Sequence, residues 1–175
     1  CDPLGRREHI KYLRHWALPV QVTDTAGRTR QYGYDSHGNL LWRQDPLGRE
    51  TQYQYDPEGR VTQVTDALEK SKYLSWNTCG QLLSYRDCSN AQTLYHYDAQ
   101  GRLRESINAR GEHTHFRYDA RGYLVESERP DGRIDRYEVD VAGQLTRYID
   151  PAQKTLQFRY DPSGRLVERT DAMGY

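Results

Sequence analysis

The sequence is poor in the residues that build a thick protein core. Apolar residues make up 35% of its 175 positions, whereas ordinary globular domains contain roughly 45–50%. Only one methionine and two phenylalanines are present, although tyrosine occurs 15 times. Charged residues reach 29%, but this abundance of tyrosine argues against a disordered chain, because disordered segments contain few aromatic residues. We therefore expect a thin sheet with one apolar face.

Net charge, long apolar runs and paired cysteines are also missing. The 25 basic residues balance the 25 acidic ones, which gives no electrostatic reason to expect a nucleic acid or an anionic membrane as partner. No apolar run approaches the ~20 residues that a membrane-spanning helix needs. The three cysteines, Cys1, Cys79 and Cys88, are too few and too widely spaced for a disulfide framework or a zinc site.

The sequence does contain a short motif that recurs every 21 residues. It reads YQYDPEGRV at residues 53–61 and FRYDPSGRL at residues 158–166. In most copies an aromatic residue and an aspartate stand four and three positions before the glycine, and six intervals pass without an insertion. We assign the following residues to the structural repeat motif: Tyr34, Asp35, Gly38, Tyr55, Asp56, Gly59, Trp76, Gly80, Tyr97, Asp98, Gly101, Tyr118, Asp119, Gly122, Asp140, Gly143, Tyr160, Asp161 and Gly164.

A second turn motif runs on the same period, about half a repeat away, as in DPLGR from Asp45. Together the two motifs account for 13 of the 14 glycines, and only Gly33 is left over. Aspartate, proline and glycine in the order of Asp56, Pro57 and Gly59 are typical of a type I turn followed by a left-handed residue. Glycine therefore marks a chain reversal every 10 or 11 residues.

Between these turns the residues alternate with a period of two. This pattern places Thr51, Tyr53 and Tyr55 on one face of a strand and Gln52 and Gln54 on the other. The sequence thus predicts an all-β fold, a repetitive antiparallel hairpin meander of about 16 strands that forms a curved sheet ribbon. We expect the aromatic residues to line one face. The whole chain, residues 1–175, is expected to be one repeat array within a longer protein, with a degenerate first repeat at about 1–23 and regular repeats over 24–175.

The motif Tyr-Asp-x-x-Gly-Arg-Leu at a 21-residue spacing resembles the YD repeat, and its companion DPLGR resembles the bacterial Rhs form of that repeat. The resemblance covers essentially the whole chain. Rhs proteins are polymorphic toxins of bacteria, and toxin-complex C components and animal teneurins share the repeat. In that family the repeats form a β-sheet ribbon that spirals into a hollow shell around a C-terminal toxin domain.

The resemblance implies a structural function rather than an enzymatic one. This chain would be a segment of the shell, and its partner would be its own C-terminal toxin domain, held as cargo beyond the present sequence. A secretion-system spike or adaptor protein, often of the type VI system, would be a further partner. The protein would be made in the bacterial cytoplasm and then secreted or delivered to target cells.

The chain departs from the family pattern at several positions. Trp76-Asn77 replaces Tyr-Asp in one copy, Val139 replaces tyrosine in another, and Glu69 and Gln153 stand where glycine is expected. These changes leave the local turn type open. Neither the family's self-cleavage motif nor its toxin domain is present in the sequence, so the resemblance transfers no catalytic residue.

Other chemistry has weaker support in the sequence. The aspartates recur in turns, which favours turn initiation over acid–base catalysis. His113 and His115 share a strand face and could form part of a metal site, with His96 on the matching face one repeat earlier, but no ligand set recurs. We therefore expect solvated surface there, and no metal, cofactor or catalytic site. Cys79 and Cys88 should lie roughly 20 Å apart at opposite ends of one strand, too far for a disulfide.

A glycan-binding array remains the alternative function. Cell-wall-binding modules also use hairpin units of about 20 residues that are rich in tyrosine and tryptophan. Here tryptophan occurs only at positions 16, 42 and 76, in three different registers, and the charge content is high. These features favour the shell over the glycan platform, and carbohydrate is kept as the alternative partner.

Overall fold

The computed structural model describes residues 7–14, 16–171 and 173, and the chain divides into two compact units, Cys1–Gln92 and Thr93–Tyr175. Within the described residues there are sixteen β-strands and no helix. None of the described segments is therefore a helix of the length and apolarity that crossing a membrane would require. The strands of the first unit are β1 (His9–Tyr12), β2 (Pro19–Thr23), β3 (Thr29–Tyr34), β4 (Leu40–Gln44), β5 (Glu50–Tyr55), β6 (Val61–Thr65), β7 (Ser71–Trp76) and β8 (Leu82–Arg86). Those assigned to the second unit are β9 (Gln92–Tyr97), β10 (Leu103–Ile107), β11 (His113–Tyr118), β12 (Leu124–Glu128), β13 (Ile134–Val139), β14 (Leu145–Ile149), β15 (Thr155–Tyr160) and β16 (Leu166–Asp171).

Inside each unit, every strand pairs antiparallel with its neighbours in chain order. The predicted all-β hairpin meander is confirmed. This order follows from the turns, because two strands joined by a five-residue reversal have no room for a crossover.

The turn at Asp56–Arg60 shows how each reversal closes. The backbone N–H of Gly59 donates to the carbonyl of Asp56 at 3.0 Å, and the N–H of Asp56 donates to the carbonyl of Arg60 at 2.9 Å. Gly59 has a φ of 79°, a left-handed conformation that glycine adopts without steric cost. We call the turns that begin at the motif aspartate or asparagine YD turns, and the other set intervening turns.

The same closure persists where glycine is replaced. Glu69, Asn90 and Gln153 have φ values of 59°, 66° and 64°, and each donates the same N–H bond to the first residue of its intervening turn. The YD turn that begins at Asn77 also closes in this way. The turn type is therefore unchanged, although a non-glycine residue in this conformation costs roughly 1–2 kcal/mol.

The two kinds of hairpin differ in register. In the hairpin β5–β6, Gln54 lies opposite Gln63 while Tyr55 lies opposite Val61, so that Thr62 is an extra residue. The same shift occurs beside the YD turn in each of β3–β4, β7–β8, β9–β10, β11–β12, β13–β14 and β15–β16. Such a β-bulge bends its strand and increases the local twist.

The predicted division into two faces is confirmed for the strand Glu50–Tyr55, where Thr51, Tyr53 and Tyr55 are half-buried and Gln52 and Gln54 are exposed. We call the side of Tyr53 the tyrosine face and the opposite side the polar face. Among the described residues no hydrophobic side chain is fully buried. The expectation of a thin sheet without a thick core is thus confirmed.

Two aromatic residues of the first unit depart from this division. Trp42 pairs with Gly33, and Tyr73 pairs with Gln63 and Arg86, all on the polar face. A Cβ atom at Gly33 would overlap the indole of Trp42. This overlap explains why a glycine stands at position 33, which belongs to neither turn motif. The guanidinium of Arg86 lies over the Tyr73 ring, 4.4 Å from its centroid. The expectation that the aromatic residues line one face was therefore wrong for Trp42 and Tyr73.

Candidate functional site

The motif residues lie where a strand ends and a YD turn begins. The aromatic residue is the last residue of its strand, as Tyr34 is of β3, Tyr55 of β5 and Tyr118 of β11. The following aspartate is the first residue of the turn, and the glycine is the fourth. Trp76, Tyr97, Val139 and Tyr160 end β7, β9, β13 and β15 in the same way.

Four of the motif tyrosines fasten their hairpin to the one before it. The hydroxyl of Tyr55 donates a hydrogen bond of 2.8 Å to the carbonyl of Leu40, the first residue of the adjacent strand β4. Backbone pairing between β4 and β5 reaches only as far as Trp42 and Gln52, so the side chain supplies a donor beyond the last backbone pair. Equivalent bonds join Tyr34 to Pro19 (3.0 Å), Tyr118 to Leu103 (2.9 Å) and Tyr160 to Leu145 (3.0 Å).

Trp76 makes the same bond although it is not a tyrosine. Its indole N–H donates to the carbonyl of Val61 at 2.8 Å, also 15 residues earlier in the chain. The position therefore selects a hydrogen-bond donor on an aromatic body, a combination that tyrosine and tryptophan share. Val139 has no such donor. Sequence reasoning missed this bond, yet a signal was present: phenylalanine and leucine occur two residues before the motif position but not at it.

The motif aspartates organise the turns through both carboxylate oxygens. In Asp161 one oxygen accepts the backbone N–H groups of Ser163 and Arg165, both at 2.9 Å. The other oxygen accepts the Arg165 side chain at 2.8 Å. The Arg165 backbone N–H is the main reason why the pKa of Asp161 lies below its ordinary value, because a hydrogen bond to the ionised form favours it.

Arginine side chains also link successive YD turns. Arg60 donates to the carbonyl of Asn77 at 2.6 Å, and Arg102 donates to that of Asp119 at 3.3 Å. In the next copy, where the sequence reads Arg-Gly-Tyr instead of Gly-Arg, Arg121 makes the corresponding bond to Asp140 at 2.9 Å. The YD turns that begin at Asp56 and Asp119 are thereby tied to the following repeat as well as the preceding one.

A buried ionic cluster lies on the tyrosine face of the second unit. Asp135 is 3% exposed, the one fully buried polar residue of the described chain. Arg129 binds its carboxylate through two nitrogen atoms, at 2.7 and 2.9 Å, and Tyr148 donates to it at 2.5 Å. The hydrogen bond to Asp135 raises the pKa of Tyr148 to about 12. The hydrogen bond from Arg129 lowers the pKa of Asp135. The cluster is a closed set of partners that keeps the carboxylate ionised.

A second cluster lies on the polar face of the second unit, around Glu105 in β10. One carboxylate oxygen is 2.7 Å from Nδ1 of His96, and the other is 2.7 Å from Nδ1 of His113 and 3.6 Å from Nδ1 of His115. The hydrogen bonds from His96 and then His113 lower the pKa of Glu105 to about 2. Sequence reasoning placed the three histidines on one face but missed Glu105, the residue that brings them together.

Two of the predicted cysteine positions are described. Cys79 lies in a YD turn and Cys88 in the following intervening turn, with β8 between them. Both are free and exposed. Cys1 lies outside the described residues.

Known proteins share both the sequence pattern and the fold. The Teneurin YD-shell family profile matches residues 17–175. The toxin protein Tse5 of Pseudomonas aeruginosa is 34% identical over 67 residues, which cover 35% of this chain and 5% of Tse5. A solved structure of the Photorhabdus luminescens Tc holotoxin pore, which carries a TccC3 variant, is similar over 85% of this chain and 9% of that one, with a TM-score of 0.68 and 18% identity. The chain thus spans a small fraction of these relatives, and the structural likeness concerns the fold.

Proposed function

Because this chain belongs to the teneurin YD-shell family, whose profile covers residues 17–175, we propose that it is a segment of the shell wall of an Rhs-type toxin protein. In this function the wall encloses a C-terminal toxin domain that lies outside the present sequence. The chain itself contributes mechanical enclosure and no catalytic step.

The observation that carries the proposal is the bond that five motif donors make to the preceding hairpin. Tyr55 and Trp76 reach back to the carbonyls of Leu40 and Val61, while Arg60 reaches forward to Asn77. A repeat array holds together through contacts between neighbouring repeats, so links in both directions stiffen the sheet along its length. We assign this fastening role to the predicted motif residues, from Tyr34 to Gly164.

The absence of a fully buried hydrophobic residue in the described chain suits a wall better than a self-contained globule. Each unit is a sheet whose two faces differ in polarity, and a β-bulge recurs beside the YD turns at a constant spacing. Because every such bulge bends its strand in the same place, the repeats favour a ribbon that curves steadily. Steady curvature is what a hollow shell requires.

The relatives support a proposal about delivery and partners. Tse5 is named as a toxin protein, and the Tc structure is a holotoxin pore. From these two relatives we infer that this protein is made in a bacterial cytoplasm and delivered to target cells. Its own toxin domain would be the cargo, and a secretion spike or adaptor protein would be a further partner. The glycan-binding alternative gains no support, since the motif hydroxyl groups are engaged by backbone carbonyls.

Electron microscopy of the full-length parent protein tests the proposal. We expect a hollow particle with density inside, and the same hollow particle without that density after deletion of the C-terminal domain. A solid particle would contradict the shell. A hollow particle whose interior is empty in both forms would contradict the cargo.

A further inference from the structure

Four side chains converge on the polar face of the second unit in a way that no other repeat reproduces within the described residues. Glu105 stands in the middle of β10, opposite His96 on β9 and His115 on β11. His113 shares the strand face of His115, two residues before it, and the two rings stack with centroids 5.9 Å apart. All three Nδ1 atoms point at the carboxylate.

The donor set matches the chemistry of a transition-metal site. Imidazole nitrogen and carboxylate oxygen are ligands that zinc-class ions prefer. One ligand atom from each of Glu105, His113 and His115 lies within 4.8 Å of the others. In a tetrahedral zinc site with bonds of about 2.0–2.1 Å, ligand atoms lie about 3.4 Å apart. The side chains therefore need only small rotations, and the histidines are about half exposed, at 49% and 50%, which leaves them free to make those rotations.

We propose that Glu105, His113 and His115 bind one divalent transition-metal ion of the zinc class on the polar face of the sheet. His96 is a positioning residue: its Nδ1 bond to the second carboxylate oxygen fixes the orientation of Glu105. Three protein ligands leave a fourth position for water. The site is independent of the shell function, and it replaces the earlier expectation that these histidines are plain solvated surface.

The neighbouring repeat shows why this cluster differs from an ordinary surface ion pair. Glu126 occupies the position of Glu105 one repeat later, but Arg117 and Arg136 stand at 2.8 and 3.4 Å from it. Guanidinium keeps its protons and cannot ligate a metal. Histidine has a free nitrogen once it is neutral. Charged groups that line the same depression as Glu105 and His115 are Arg104, Arg117, Glu126 and Glu128, and Glu128 lies opposite His115.

The test is a titration of the metal-free, untagged chain with Co²⁺, followed by displacement with Zn²⁺. Because exposed thiolates also bind these ions, the background variant carries Cys1→Ser, Cys79→Ser and Cys88→Ser. We expect visible ligand-field absorption that saturates at one equivalent of Co²⁺ and disappears when Zn²⁺ is added. Absence of saturable binding at micromolar metal would overturn the proposal.

Matched variants locate the ion. We expect His113→Gln with His115→Gln to weaken binding at least about 100-fold, and His96→Gln to weaken it about 10- to 100-fold, as loss of a ligand-orienting partner does. Glu126→Gln should leave affinity unchanged. Far-ultraviolet circular dichroism checks that each variant keeps its strands. Binding that survives the double histidine change would place the ion elsewhere and refute the site.

Moving the ligand set to the neighbouring repeat provides a test that measures a gain of metal binding instead of its loss. Arg117→His, Ile134→His and Arg136→His together copy the histidine positions around Glu126. We expect this variant, built in the background that also carries His113→Gln and His115→Gln, to regain saturable Co²⁺ binding. Failure to regain it, in a protein with an unchanged circular dichroism spectrum, would show that strand geometry and ligand type do not suffice.

Discussion

Residues 98–118 and 119–139 are successive repeats of the second unit, and they solve the same structural problems with different residues. In the earlier repeat Arg102 follows the turn glycine and braces Asp98 at 2.7 Å. In the later one Arg121 precedes the glycine and braces Asp119 at 3.1 Å. Each arginine also reaches the next YD turn. The repeat framework therefore requires an arginine that binds both the turn aspartate and the next YD turn, and this arginine can stand on either side of the turn glycine.

The intervening turns of the same two repeats show a rearrangement of charge. Asn108 opens the turn of the earlier repeat and accepts backbone N–H bonds at 2.9 and 3.1 Å. Arg129 is the first residue of the later turn, and its side chain binds Asp135 instead. The residue equivalent to Asp135 in the earlier repeat is Thr114. The later repeat thus exchanges an uncharged pair, Asn108 and Thr114, for a base and an acid. This exchange buries a carboxylate on the tyrosine face of the repeat that has Val139 in place of the motif tyrosine.

The largest effect is expected from removing that carboxylate. Asp135→Ala leaves Arg129 and Tyr148 without their shared acceptor, and loss of a charged hydrogen-bond partner at a buried position should lower the free energy of unfolding by about 2–3 kcal/mol. Thr114→Ala, the matched change in the earlier repeat, should cost less than about 1 kcal/mol. Chemical denaturation of the two variants measures the difference.

The exchange can also be reversed. Asp135→Thr alone should be destabilising, whereas Arg129→Asn with Asp135→Thr copies the earlier repeat and should recover part of the loss, because no arginine is left unpaired. A double variant as unstable as the single one would show that the cluster is not a substitute for the Asn108 arrangement.

The next effect concerns the motif hydroxyl. Tyr118→Phe removes the donor to the carbonyl of Leu103 and should cost about 1 kcal/mol in the free energy of unfolding. Tyr137→Phe is the control, since its hydroxyl makes only a long contact of 3.3 Å with Ser127. That change should cost less than about 0.5 kcal/mol. Equal costs for the two would show that ring burial, and not the bond to the carbonyl, explains the tyrosine.

The same contrast shows what the sequence could predict. Turn glycines and alternating residues are local signals, so the hairpins, their order and the faces of Tyr53 and Gln54 followed from them directly. The bond from Tyr55 to Leu40 spans 15 residues. It depends on where backbone pairing stops, which a pattern of residue types does not reveal.

The clusters were beyond prediction for a related reason. Asp135 and Arg129 belong to different elements, and nothing in their spacing distinguishes a buried pair from two solvated charges. Glu105 looked like any acidic residue of the polar face until the register placed it between His96 and His115. The repeat period reveals the residues that recur from one repeat to the next. It does not reveal a cluster that occurs in a single repeat, such as those around Asp135 and Glu105.

The smallest expected effect is a difference in pH dependence between substitutions of Glu105 and Glu126. Hydrogen bonds lower the pKa of both carboxyl groups, with His96 the main cause for Glu105 and Arg117 for Glu126. Each therefore contributes stability above the ordinary value of 4.5 and loses it as the pH falls through the lowered pKa, which for Glu105 is about 2. Above pH 4.5 both carboxylates stay ionised, and a difference can come only from their partners.

Histidine loses its charge within the neutral range, whereas arginine does not. In the absence of metal, Glu105→Gln should therefore cost about 0.5–1 kcal/mol more at pH 5.5 than at pH 8. The change removes the anion that faces His96, His113 and His115. Glu126→Gln should cost the same at both values, since Arg117 and Arg136 remain charged. Denaturation of both variants at the two pH values measures this, and a parallel pH dependence for both would show that the histidines carry no charge that Glu105 stabilises.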